Sequence, residues 1–309
     1  MILVADSGSS KTDWMAYSPG HTLTFNTQGI NPYFVTANDV ARILSKNKDL
    51  SAYANTITEV YFFGSGCSSP DKHEIMSNGL SAFFTKAFIS VDHDLIGSAY
   101  ATCGNKKGLT CILGTGSNIT YYDGENVHDG KHGLGYVLGD EGSGTYFGKK
   151  VLVSYLYGTM PTDLRSDFEK QFEAKKETVI QNIYQKPFPN SYLATFSRFM
   201  IGHKEHPFIQ KILLDGFQEF IDTNIRHYKE HKTLECHFVG SIAYYYQDEE
   251  HQDNVVSVQA MRDMFPKLGS SIKKEQAFPL SGYHVITSDI LGKRVDLPIQ
   301  ASLDFIKKL

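Results

Sequence analysis

Two short turns rich in glycine and serine carry the residues best suited to chemistry, Asp6-Ser7-Gly8-Ser9-Ser10-Lys11-Thr12 and Gly114-Thr115-Gly116-Ser117-Asn118. Runs that read as β-strands flank both: Ile2 to Ala5 and Asp13 to Tyr17 around the first, Thr110 to Leu113 and Ile119 to Tyr122 around the second. Small residues in a tight turn let backbone N–H groups converge on an anion with no side chain in the way, which suits a phosphate. One such turn alone is an ordinary hairpin connection. Its recurrence at the start of what read as two halves predicts a duplicated nucleotide-binding fold, with two cradles facing each other across a nucleotide triphosphate. A P-loop at Lys11-Thr12 is rejected, because no glycine precedes the lysine and a strand pattern follows it.

A second candidate is the run Val91-Asp92-His93-Asp94-Leu95-Ile96-Gly97-Ser98. A hydroxyl is a poor nucleophile at neutral pH, and a carboxylate within hydrogen-bond reach can take its proton as a new bond forms. Asp92 and Asp94 stand two apart and would point to the same side of a continuing strand, so position alone leaves both open. Either could also cap the helix that follows.

The elements that must hold these residues read as follows. Three consecutive strands, Ile2 to Ala5, Asp13 to Ser18 and Thr22 to Asn26, precede a helix from Asn38 to Leu44 capped by Asn38, and a fourth strand runs from Glu59 to Phe63. A helix over Lys72 to Ala87, a short strand over Phe88 to Val91 and a helix over Gly97 to Cys103 complete the first part. The second part opens with the strands around Gly114 to Asn118 and one at Glu125 to His128, then becomes helical from Ser143 to about Lys232. Phe208, Ile212, Leu213, Phe217, Phe220 and Ile221 recur there at helical spacing and read as core. A strand from Glu235 to Val239 ends in Gly240-Ser241.

Composition narrows the class. At 309 residues the chain predicts roughly two domains of about 150 residues each, and 41% hydrophobic residues can fill a sizeable core. A net charge of -4, with no run of Lys or Arg longer than a pair, gives no footprint for nucleic acid and favours a small-molecule partner. No segment approaches the roughly 18 uncharged apolar residues of a membrane span, so no membrane partner is expected. The first residues turn polar too soon for a signal peptide. Cys67, Cys103, Cys111 and Cys236 show no C-x-x-C spacing, so reduced thiols in a cytoplasmic protein are expected.

Four motifs in order carry a resemblance: Asp6 to Lys11, Gly114 to Asn118, Gly139-Asp140-Glu141-Gly142-Ser143 and Val239-Gly240-Ser241-Ile242-Ala243. Together they resemble the phosphate-1, phosphate-2, sugar-side and adenosine motifs of the N-acetylglucosamine kinases, relatives of the BadF/BadG ATPases in the actin, sugar-kinase and heat-shock-chaperone superfamily. The likeness runs from residue 1 to about residue 246. It implies an α/β fold of two duplicated ribonuclease-H-like (actin-like ATPase) domains with a central cleft. These would be an N-terminal domain over 1–110, with a C-terminal helix at 298–309 packed back on it, and a C-terminal domain over 111–297 with a helical insertion.

The same resemblance implies roles. ATP would be held by Gly8, Ser9, Ser10, Lys11 and Thr12, by Gly114, Thr115 and Gly116, and by Gly240, Ser241, Ile242 and Ala243. Asp6 would face Mg²⁺ through water, in keeping with a cation that takes few protein carboxylates. The catalytic base falls on Asp94. The sugar would meet Asn31, whose amide both donates and accepts, together with Asp94, Ser117, Asn118, Gly133, Leu134, Gly135 and Asp140. The reaction implied is phosphorylation of an N-acetylated amino sugar, N-acetylglucosamine or N-acetylmuramic acid, at the 6-hydroxyl. A homodimer is expected, and the halves should close on the sugar.

Two departures bear on specificity. Leu134 stands where some members place an aromatic residue beside the sugar, which leaves room for a bulkier 3-O substituent. About thirty extra residues intervene between Tyr246 and the run Leu291-Gly292-Lys293 to Pro298; their polar content reads as a surface excursion, with an altered adenine wall as the alternative. Glucosamine is an alternative acceptor. An iron–sulfur activator ATPase would need cluster-ligating cysteines at a subunit interface, which Cys111 in a core strand does not suit. A non-catalytic sugar sensor would have no need of a base. Gly64-Ser65-Gly66 reads as a turn, since no dinucleotide fingerprint completes it.

Overall fold

A computed structural model of the chain describes residues 1–18, 21–104, 106–129 and 133–246. The extra segment 247–290, the Leu-Gly-Lys run and the helix expected at 298–309 lie outside the described residues. The chain divides into two compact units that part between residues 105 and 106.

In the first unit the strands β1 (Ile2–Ser7), β2 (Lys11–Ser18), β3 (His21–Gln28), β4 (Glu59–Gly64) and β5 (Phe88–His93) form one sheet in the order β3-β2-β1-β4-β5. β1 pairs antiparallel with β2 and parallel with β4. β2 is buried continuously from Thr12 to Ala16, the pattern of a strand covered on both faces. The helices are α1 (Ala37–Ser45), α2 (Lys48–Tyr53), α3 (Pro70–Phe83) and α4 (Asp94–Cys103). Trp14 anchors the core, with its ring 5.8 Å from Phe62 and 6.2 Å from Phe84, and its indole N–H donates to Thr27 Oγ1 at 3.0 Å. α1 is capped by Thr36, not by the expected Asn38, because Asp39 at the third helical position closes a reciprocal capping box with it.

The second unit repeats the opening. β6 (Gly108–Leu113), β7 (Ser117–Tyr122), β8 (Val127–Asp129) and β9 (Cys236–Val239) form a sheet in the order β8-β7-β6-β9, with β6 antiparallel to β7 and parallel to β9. Between β8 and β9 come α5 (Gly135–Leu138), α6 (Gly144–Leu156), α7 (Thr162–Gln171), α8 (Lys176–Tyr184), α9 (Pro189–Thr195) and α10 (Pro207–Thr223), and α11 (Ser241–Tyr245) follows β9. α10 buries Ile209, Leu213, Phe217, Phe220 and Ile221, while Phe208 and Ile212 lie partly buried at the edge of the same core. No helix among the described residues is long and apolar enough to cross a membrane. All four cysteines are buried thiols.

Candidate active site

The first turn is a three-residue hairpin loop closed by Gly8 N–H donating to Lys11 O at 3.0 Å. Its root is a buried hydroxyl cluster. Ser7 Oγ lies 2.7 Å from Thr12 Oγ1 and donates to Ile30 O at 3.0 Å, while Thr12 Oγ1 donates to Gln28 O at 3.2 Å. Thr12 therefore braces the turn from inside and does not present its hydroxyl to a ligand. Lys11 Nζ sits 2.8 Å from Asp13 Oδ2. Burial, with the nearby carboxylates of Asp94 and Asp13, pushes Asp6 well above the usual carboxylate range, and Lys11 opposes the shift.

Asn31 follows from the same bracing. A Cβ on Gly29 would fall 2.4 Å from Gly8 O and from Ser9 C, so only glycine lets the end of β3 press against the hairpin backbone. Two residues on, Asn31 is buried, and its Oδ1 accepts from Tyr33 N–H at 3.0 Å in an Asx turn. The Oδ1 is thus committed to the backbone. That fixes the amide plane and leaves Nδ2 as the donor to offer.

Asp94 is the first residue of α4, and the strand ends at His93. The alternation that would have put Asp92 and Asp94 on one side is broken there by the turn into the helix. Asp92 Oδ2 accepts from Ser90 Oγ at 3.4 Å, and burial raises its carboxyl against the opposing pull of His73 and Ser90. His93, not either aspartate, caps α4, with its Nδ1 accepting from Leu95 N–H at 3.2 Å. Asp94 Oδ1 is buried and forms no hydrogen bond among the described residues, although His93 Nδ1 stands 2.8 Å away. A buried carboxylate oxygen left without a donor is costly, and a substrate hydroxyl is a group that would satisfy it. Behind it, burial and the charges of Asp94 and Asp92 push the Cys67 thiol up to about 12, so it stays protonated.

In the second unit the turn at Gly114-Thr115-Gly116 is closed by Gly114 N–H donating to Gly116 O at 2.9 Å. Its carbonyls are held by the start of α6: Gly144 N–H donates to Gly114 O at 2.8 Å and Thr145 N–H to Thr115 O at 2.9 Å. Asp140, in the left-handed region at φ 60, lays its carboxylate on the turn, where Oδ1 accepts from Ser117 N–H at 3.2 Å. Ser117 Oγ is buried with no hydrogen bond among the described residues. Asn118 Oδ1 accepts from Ile119 N–H at 2.9 Å. Gly240, at φ 104, packs on the root of the turn, where a Cβ would meet Leu113 O at 2.5 Å. Ile242 and Ala243 are buried in the core, so their side chains belong to packing.

Among the described residues no three His, Cys, Asp or Glu side chains cluster to hold a metal. What the first unit offers is narrower. Asp6, with Asp94 and Asp13 in electrostatic range, is a concentration of negative charge that fits a hydrated divalent cation held by few carboxylates.

No family model matches the chain, and neither does any curated protein. Solved structures do match. A candidate N-acetylglucosamine kinase from Porphyromonas gingivalis is 36% identical with a TM-score of 0.76, over 85% of this chain and 92% of that one. This chain belongs to the N-acetylglucosamine kinase family. A second candidate N-acetylglucosamine kinase, from Chromobacterium violaceum, is 15% identical at a TM-score of 0.56, over 79% of this chain and 88% of that one. A ROK-family glucokinase from Streptomyces griseus, solved with glucose and AMPPNP, is 12% identical at 0.50, over 89% and 91%. These two speak for the fold, which is that of the actin-like ATPases.

For this member of the kinase family, sequence reasoning overlooked three supports. Gly66, at φ +82, stands directly behind Asn31, and Gly133, at φ +76, stands behind Asn118 in the same way; Gly133 was expected to contact sugar, but Gly66 was read as a plain turn. Thr145 holds the second turn from α6. His93 touches Asp94. A Gly-Ser-Gly following a strand was the available signal for Gly66, whereas nothing in the sequence pointed to Thr145. Leu134 is 63% exposed.

Proposed function

We propose that the chain transfers the γ-phosphoryl group of ATP to the 6-hydroxyl of an N-acetylated amino sugar, N-acetylglucosamine or N-acetylmuramic acid. The observation that carries this reading is the unsatisfied, buried Oδ1 of Asp94 at the start of α4. Membership of a family whose 36% identical relative is described as a candidate N-acetylglucosamine kinase supports the substrate class.

In this reading the backbone of Gly8 to Ser10 and of Gly114 to Gly116 receives the phosphates, Lys11 adds positive charge, and Gly240-Ser241 lies against the adenosine. Asp6 would hold Mg²⁺ through water, and the ion would supply charge neutralisation at the phosphates. Asn31 Nδ2 and Asn118 orient the sugar, with Ser117, Gly133, Leu134, Gly135 and Asp140 around it. Asp94 takes the 6-hydroxyl proton as the sugar oxygen bonds to the γ-phosphorus and the bond to the ADP oxygen breaks. Little covalent work falls to the protein, as is general for phosphoryl transfer, so positioning and charge do most of it.

A coupled ADP-release assay over glucose, glucosamine, N-acetylglucosamine, N-acetylmannosamine and N-acetylmuramic acid tests the reading. Turnover is expected with an N-acetylated sugar, with phosphorus coupled to the C6 protons of the product by NMR. ADP release that is indifferent to every sugar would instead indicate an ATPase.

A further inference from the structure

Tyr33 links the amide of Asn31 to a cation. Its N–H donates to Asn31 Oδ1 at 3.0 Å, and the ammonium of Lys72 lies over its ring, 4.8 Å from the centroid. The ring also stands against Gly66, where a Cβ would fall 3.0 Å from Tyr33 Cδ2 and 2.5 Å from Asn31 Oδ1. An amide, an aromatic face and a positive charge are thus successive neighbours, and the aromatic is 60% exposed. β4 and β5 run parallel with Gly64 beside His93, so Gly66 and Asp94 leave the sheet at the same end.

Lys72 occupies a costly place for a lysine. It is the third residue of α3, where a cation opposes the helix dipole. Asp71 Oδ2 stands 3.3 Å from its Nζ, but the Asp71 side chain is 67% exposed and that of Lys72 only 20%. Asp71 also accepts from Ser69 Oγ at 2.6 Å. Water screens such a pair, so Asp71 is a weak competitor for the ammonium, whereas the ring of Tyr33 holds it from the other side. Asp6, Asp92 and Asp94 put carboxyl groups at this end of the sheet. An anionic ligand among them needs a cation of its own.

We propose that Lys72, held on the Tyr33 ring, determines specificity for an acceptor that carries a carboxylate, so that the preferred sugar is N-acetylmuramic acid, whose 3-O ether bears that group. This rests on the sugar site proposed above, with Asn31 as its anchor. The ammonium exchanges a solvent-screened partner, Asp71, for the substrate carboxylate. A neutral sugar would leave the lysine with nothing to pair.

The test compares N-acetylmuramic acid, its methyl ester and N-acetylglucosamine as substrates of the full chain. The ester keeps the ether substituent and removes its charge. Wild type is expected to favour the acid over the ester about tenfold or more in kcat/KM, the size of a charge-assisted hydrogen bond. Lys72→Met should lose about 10- to 100-fold on the acid and stay within about twofold on N-acetylglucosamine, and Lys72→Arg should restore most of the preference. Asp71→Asn removes the competing carboxylate and should lower the KM for the acid about threefold, the size of an exposed ion pair, with N-acetylglucosamine unmoved. A lysine that only packs on Tyr33 predicts no such gain. Equal losses on both sugars in Lys72→Met, or a wild type indifferent to esterification, overturns the proposal while the kinase reading stands. ADP release that answers to no sugar overturns the kinase reading; calorimetric titration with acid and ester then judges Lys72 by binding alone, and equal binding of the two overturns the proposal.

Discussion

Gly66 stands so close behind Asn31 that a Cβ on it would lie 2.5 Å from Asn31 Oδ1. The neighbour is a side chain committed to Tyr33 N–H, so it cannot swing away without giving up the Asx turn that orients it. Gly66→Ala should therefore displace the amide and raise the sugar KM roughly tenfold, the worth of about one hydrogen bond, with ATP KM unchanged. Combining it with Asn31→Ala should add nothing to the KM effect of Asn31→Ala. Additive effects would mean that Gly66 acts through the fold and not through Asn31.

Gly29 predicts a broader defect. Here the added Cβ would meet backbone, Gly8 O and Ser9 C, and a hairpin backbone cannot yield as a side chain tip does. Gly29→Ala should shift the first turn and Asn31 together, so both ATP KM and sugar KM rise. A change in the sugar KM alone would show that the hairpin does not bind phosphate.

At the second turn, a Cβ on Gly116 would fall 2.8 Å from Asp140 Oδ2. Gly116→Val would put a side chain where the turn is read as holding phosphate, and the geometry adds that it evicts Asp140 from Ser117 N–H first. Loss of ATP binding is expected, read by calorimetry, with circular dichroism unchanged. Gly116→Val combined with Asp140→Ala should bind ATP no better than Gly116→Val if phosphate volume is what matters. Recovery of binding in the double variant would assign the defect to Asp140 instead.

The sheets were legible because their signals are local. Alternating burial in β1, the apolar run of β2 and the helical period of α10 follow from side-chain patterning, and the two hairpins were visible as turn chemistry between strands. The bracing was not legible. That Thr12 would turn inward to Gln28 O, that Gly66 would meet Asn31, and that Thr145 would seize Thr115 O are contacts across 16, 35 and 30 residues of chain, and residue types carry no such pairing. The cap of α1 failed for a smaller reason: Asn38 and Thr36 are both capping residues, and the reciprocal bond from Asp39 chose between them.

Asp92 and Asp94 are separated by a joint measurement of rate and pH. Asp94→Asn should lower kcat by about 10²- to 10⁴-fold, the usual worth of a general base, while ATP and sugar still bind. Asp92→Asn should leave kcat near wild type and alter stability instead. Burial raises the Asp92 carboxyl in the folded chain, so between its ordinary pKa and the raised one the folded state binds more proton than the unfolded state. Stability then falls as pH rises through that window, since the slope follows the unfolded minus the folded proton count. Above that window wild-type Asp92 is ionised at a cost that asparagine does not bear. Asp92→Asn should accordingly melt above wild type at neutral pH, and the gap should close as the medium is acidified into the ordinary carboxylate range. A gap that widens on acidification would contradict a raised Asp92 carboxyl, whereas a crippled Asp92→Asn beside an active Asp94→Asn would move the base to Asp92.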